Sequence, residues 1–180
     1  MKKITTLVLL SLFFTTFCFS QETNIEETKK HEVKINSISL IAFKWLDVSY
    51  EYLINKESSF GIGTLISFND DEGFDSYRTF SLTPYYRRYF SKGYAKGFFV
   101  EGFGMLNTFK EHHYFYGLGA NNHTETLTDF AVGVSAGGKF VTKNGFVAEI
   151  YLGLGRNLIN DSYYENFIVG RGGISLGYRF

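Results

Sequence analysis

The residues with catalytic or metal-binding potential gather in one polar stretch, 110–127. Glu111, His112 and His113 stand side by side there, and His123 and Glu125 follow. Imidazoles with a carboxylate are a zinc donor set, but a metal site needs three or four converging ligands. Nothing in this spacing makes them converge. A hydrolase would need a His next to a Ser hydroxyl and oriented by a carboxylate. His123, Glu125 and Ser162 can be assembled on paper, without any spacing signature. No catalytic residue, metal ligand or cofactor is assigned. Asn122-His123-Thr124 matches a glycosylation sequon, which is too short to carry weight. The same stretch holds Tyr114, Phe115, Tyr116 and Leu118, an aromatic tip suited to contacting a partner, a glycan or lipid. The plainer reading is an extension of the flanking strands whose aromatics join an interfacial girdle.

A second set of charged groups recurs at strand spacing: Glu51, Arg87, Glu101, Lys139, Glu149, Arg171 and Arg179. Side chains on a strand alternate between two faces. In the last stretch, Ile174, Leu176, Tyr178 and Phe180 fall on one face, and Gly173, Ser175, Gly177 and Arg179 on the other. One wall is apolar; the other is small or charged. The pattern repeats upstream. Leu46, Val48, Tyr50, Tyr52 and Ile54 oppose Asp47, Ser49 and Glu51, and Phe146, Ala148, Ile150, Leu152 and Leu154 oppose Glu149, Tyr151 and Gly153.

Eight such strands are expected. They begin at Val33–Phe43, whose phase is unclean because Ile38, Leu40 and Ala42 share parity with Lys34 and Asn36; a bulge near 37–39 would explain it. The fourth, Tyr77–Phe90, contains Pro84, which removes a ladder hydrogen bond and is expected to mark a bulge. In the fifth, Phe98–Phe109, Phe99, Phe103 and Met105 share the face of Glu101, so its inside and outside are the least defined. The sixth runs Thr128–Val141, and Thr142-Lys143-Asn144-Gly145 reads as a hairpin turn. Alternate connections are short, and the others longer and polar, with 110–127 the longest. Strands near ten residues match the roughly 9–11 that cross a bilayer when tilted. Backbone groups cannot stay unpaired in lipid, so the sheet must close. The expected fold is all-β: an eight-stranded antiparallel up-and-down transmembrane β-barrel, with both termini on the periplasmic side. So narrow a barrel is filled by side chains, and its inward charges must neutralise one another.

The chain opens with two lysines and an apolar run broken by Ser and Thr, the form of a secretory signal peptide cleaved after Ser20. A lipid anchor on Cys18 is disfavoured by Phe17, where a small residue is wanted. Cleavage removes Lys2 and Lys3 from 18 basic residues and none of the 18 acidic ones, leaving a formal net charge of −2. That balance argues against nucleic acid as a partner. The single Cys leaves with the signal, so disulfides and a thiol nucleophile are excluded. The expected organisation is signal peptide 1–20, a flexible charged segment 21–32 and a barrel domain 33–180.

The chain resembles small eight-stranded outer-membrane barrels of the OmpA/OmpX type. It is similar in finer detail to a family of short exported barrel proteins with no established activity. The residues that carry the resemblance are Val48-Ser49-Tyr50-Glu51-Tyr52, Pro84 to Phe90, Gly97 to Gly104 and Val169 to Gly173. The resemblance implies an outer-membrane location in a Gram-negative-type bacterium, outer-membrane lipid as surroundings and a polar, ion-paired interior. The terminal residues Leu176, Tyr178 and Phe180 are expected to be the signal read by the barrel-assembly machinery. A structural or surface-interaction role follows, with the extracellular partner unidentified. Two alternatives are a lipid-modifying outer-membrane enzyme and a soluble lipocalin-like carrier, the latter requiring polar residues outside and apolar ones inside.

Overall fold

A computed structural model describes residues 29–68, 78–113, 123–159 and 168–180, with side chains from 110 to 125 outside that description. Eight strands close into an antiparallel barrel in which each pairs with its sequence neighbours and the last with the first. They are β1 His31–Asn36, β2 Trp45–Leu53, β3 Ser58–Ser67, β4 Arg78–Tyr89, β5 Gly97–His113, β6 His123–Val141, β7 Phe146–Asn157 and β8 Ile168–Arg179. The β2–β3, β4–β5 and β6–β7 connections are tight and define a turn end. The opposite, loop end carries the others.

Closure sorts the side chains as the alternation requires. Ile150, Leu152, Leu154, Ile174, Leu176 and Tyr178 are exposed, while Glu51, Arg87, Glu101, Lys139, Glu149 and Arg179 are at most 3% exposed. A lipocalin-like carrier would show the reverse, so that alternative is overturned. On β5 the unclear face resolves inward: Phe99, Phe103 and Met105 are buried beside Glu101. These rings fit because the facing strands offer glycine. A Cβ on Gly137 would lie 2.7 Å from the Phe99 ring, and one on Gly133 would lie 2.4 Å from that of Phe103. The interior is a packed mixture of ions and aromatics between Gly-lined walls.

At the turn end, Thr142–Gly145 forms the expected hairpin, with Gly145 at φ 93° and its N–H bonded to the Thr142 carbonyl at 3.0 Å. A positive φ favours glycine there. The bulge expected at Pro84 is not found. The β4–β5 ladder passes from Leu82↔Leu106 to Tyr85↔Phe103 in one register, and the irregularity lies between Arg78 and Phe80. Proline removes a donor without adding a residue, so the ladder skips a step and no strand shift is needed.

The largest departure is at the beginning. β1 starts at His31, so Glu32, assigned above to a flexible segment, is a fully buried strand residue. The strand then stops at Asn36, and Ser37–Phe43, expected as strand, forms a short helix, α1. A continuing strand would have turned Ile38, Leu40 and Ala42 inward beside Lys34 and Asn36. The helix instead leaves Ile38, Leu40 and Ile41 exposed and buries Ser39. Asn36 caps it by accepting from the Ser39 N–H at 3.3 Å, the usual role of Asn before a first turn. Lys44, in the left-handed region at φ 54°, ends it.

The 110–127 loop is also shorter than expected. β5 and β6 stay paired as far as Glu111↔Glu125, His112↔Thr124 and His113↔His123.

Candidate functional site

The inward positions of seven strands bring together one ion network. Arg87 of β4 is its hub. Its Nη1 and Nη2 take both Glu149 oxygens at 2.6 and 2.8 Å, its Nε reaches Glu101 at 2.6 Å, and its Nη1 reaches Glu51 at 3.0 Å. The guanidinium also lies over the Phe99 and Tyr85 rings, 4.3 and 4.6 Å from their centroids. Lys34 of β1 bonds Glu51 at 2.5 Å and Glu149 at 2.9 Å. Lys139 of β6 bonds Glu32 and Glu51, both at 2.7 Å. Strand alternation places each of these on the inner face, and the barrel's diameter brings groups from opposite walls within reach.

Neutral donors take up the remaining lone pairs. Ser59 and Tyr89 hydroxyls donate to Glu51, both at 2.5 Å, and Ser135 to Glu101 at 2.7 Å. At the turn end, Arg179 bonds Glu32 through Nε at 2.7 Å and donates to the Tyr94 and Ala95 carbonyls at 2.9 and 2.8 Å. The 90–96 turn therefore folds across the opening and is tied to β8. Toward the middle, Arg171 reaches Glu101 at 2.6 Å. Burial this complete makes each ion costly unless paired, and each is paired.

The seven charges Glu51, Arg87, Glu101, Lys139, Glu149, Arg171 and Arg179 thus stand in one connected cluster. Glu32 and Lys34 belong to it and escaped the sequence reading. Their signal is the alternation His31-Glu32-Val33-Lys34-Ile35-Asn36, hidden by the drifting phase of the helix that follows. Leu176, Tyr178 and Phe180 lie on the outer face, exposed. Of the groups considered for metal or hydrolytic chemistry, Glu111, His112, His113, His123 and Glu125 lie on paired β5 and β6 backbone with side chains outside the described residues. Ser162, Tyr114, Phe115, Tyr116 and Leu118 lie outside them altogether, as do the signal peptide and residues 21–28.

A cavity of about 420 Å³ occupies the loop end above the network. Asp47, Arg78 and Arg171 line it with the hydroxyls of Ser39, Ser81 and Thr83, together with apolar groups on α1, β2, β3 and β5. Asn36 donates to Asp47 at 2.9 Å and to the Gly172 carbonyl at 3.1 Å, joining β1, β2 and β8 at the cavity rim.

No family model matches the chain, so the finer resemblance to short exported barrels gains no support. No curated protein matches either. Two solved structures do. Ail of Yersinia pestis, in a phospholipid bilayer nanodisc, aligns over 84% of this chain and 99% of its own at 14% identity, with a TM-score of 0.39, too low to argue from. The N-terminal β-barrel domain of Pseudomonas aeruginosa OprF aligns over 84% of this chain and 98% of its own, also at 14% identity, with a TM-score of 0.53. The chain has the fold of a small eight-stranded antiparallel barrel like that of OprF.

Proposed function

We propose that the chain is an outer-membrane β-barrel protein that presents a surface-interaction hairpin on a scaffold whose lumen is closed by ions. The observation that carries the membrane reading is the inverted distribution of polarity. Leu152 is 75% exposed and Phe140 68%, while Arg87 and Lys139 are 1% exposed. Water would penalise that arrangement on both counts; a hydrocarbon surround favours it. The even strand number puts both ends of the barrel domain on one side, and the loop end then faces outward.

The interaction role is supported by β5 and β6. Their pairing continues beyond the last partners offered by β4 at Phe109 and by β7 at Ala131. There residues 110–113 and 123–126 pair with one another and with no other strand among the described residues. Strand edges and rim loops are where such scaffolds meet partners. The lipid-modifying alternative depends on His123, Glu125 and Ser162, and comparing lipid A with and without the protein distinguishes it. Unchanged composition is expected.

Cell fractionation tests the reading. The protein is expected in the outer-membrane fraction, retained through high salt and urea and released only by detergent. Protease on intact cells is expected to cut within the 110–125 ribbon. Recovery as a detergent-independent soluble protein would contradict it.

A further inference from the structure

The wall of this barrel is incomplete at the loop end. β7 follows β8 from Ile168 to Tyr178, but β1 pairs with β8 only from Ser175 to Arg179. β1 likewise leaves β2 after Val48, although β2 extends back to Trp45. Between these edges of β8 and β2 no strand runs among the described residues; α1 packs there instead. Backbone groups at such an edge must find partners inside a membrane. Two carbonyls of the β8 edge are met by side chains: Asn36 reaches Gly172 O at 3.1 Å and Arg78 reaches Gly170 O at 3.4 Å.

The cavity opens through this seam. Its lining includes inward Leu65 and Met105 and also Leu152, Gly170 and Gly172, which belong to the outer face of β7 and β8. A Cβ on Gly170 would meet nothing within 4 Å, so the edge is thinned where the cavity emerges. Ile38 and Phe43 of α1 form the other jamb, and Phe43 stacks on Trp45 with ring centroids 5.0 Å apart. The volume lies within the roughly 300–1,000 Å³ of small-ligand sites. On the outer face the lining is exposed Leu152 with Gly170 and Gly172 on one side and exposed Ile38 on the other, and Asn36 and Arg78 hold the β8 edge between them.

We infer that this seam admits one hydrocarbon tail of a neighbouring membrane lipid into the cavity beside Trp45. The inference rests on the membrane reading above. Ile38, Phe43, Trp45, Leu65, Met105 and Leu152 supply the apolar part of the lining that a tail would meet. A lipid tail already lies at the mouth and needs only to bend inward, with Asn36 holding the frame of the opening.

Trp45 is the only Trp in the chain and reports on the cavity directly. The mature chain is refolded into vesicles of phosphatidylcholine brominated along its tails, beside Thr83→Phe, which fills the cavity from β4 without moving Trp45 relative to the bilayer. Insertion is checked first by resistance of the folded band to detergent until heated; failure there overturns the membrane reading instead. Among inserted barrels, brominated tails are expected to remove most of the native Trp45 emission and markedly less in Thr83→Phe. Should that variant not fold, Ser81→Phe fills the same space. Mass spectrometry after transfer to detergent is expected to find one phospholipid on the native barrel and none on the filled one. Equal quenching in both proteins, or a retained free fatty acid in place of phospholipid, would overturn the inference.

Discussion

Arg87 hydrogen-bonds three carboxylates from three other strands. Its planar fork serves Glu149 with two nitrogens while its Nε turns to Glu101. A lysine at the same place is a point charge with three donors and lacks that geometry. Replacing Arg87 with Met is expected to destabilise the barrel by about 3–5 kcal/mol, because the partners remain buried without their cation. Removing a facing charge as well, in Arg87→Met with Glu149→Gln, should recover part of the loss, the sign of direct coupling. Urea unfolding in vesicles measures both. A single-variant loss near zero would mean that water, not Arg87, neutralises the cluster. A different residue-scale test lies one position along β7. Ile150→Arg places a charge on the lipid-facing wall and is expected to cost about 2–4 kcal/mol near the bilayer centre. The same substitution on a water-facing wall would change stability little.

Strands carry the pattern, and strands are where the sequence was readable. In β2 from Leu46 to Tyr52 and in β8 from Ile174 to Arg179, apolar residues alternate with polar or small ones, so inside and outside follow from parity alone. In β7, Val147 and Tyr151 join Glu149 on the inner face. On β5 the alternation is masked because large aromatics occupy both walls. Only the glycines opposite Phe99 and Phe103 make room for them, and those lie on a different strand. Glu32 and Lys34 were obscured for a related reason: the six-residue β1 is followed at once by α1, and reading both as one strand blurs the phase. Asn36 was the available clue, since it both ends the strand and caps the helix. The β5–β6 pairing beyond Phe109 is hard to read from the sequence because its composition is polar on both faces and lacks the alternation of the other strands. Pairing there runs beyond the last β4 and β7 partners, and this has a consequence. Excising 110–125 and joining the strands by a short turn is expected to leave the urea midpoint of the barrel unchanged, since those residues pair only with one another among the described ones. A large fall would show that the ribbon helps close the rim.

For the whole molecule, the lumen is closed from the turn end to mid-height. Arg179 ties the 90–96 turn across the opening, and Lys139, Lys34 and Arg87 tie opposite walls behind it. A steady ion path would have to dissolve this network. Planar-bilayer recordings are expected to show no large persistent conductance; a stable open channel at neutral pH would refute the plug.

The central claim is that the apolar wall meets hydrocarbon while the ions are enclosed, and spin labels along β7 test it most directly. The chain carries a single Cys, at position 18 within the segment expected to be removed, so single cysteines can be introduced from Ile150 to Leu154 without interference. In refolded vesicles, collision with dissolved oxygen is expected to be high at 150, 152 and 154 and low at 151 and 153. Uniform access along the strand, or a water-soluble relaxant reaching Leu152 as readily as a loop residue, would contradict the account.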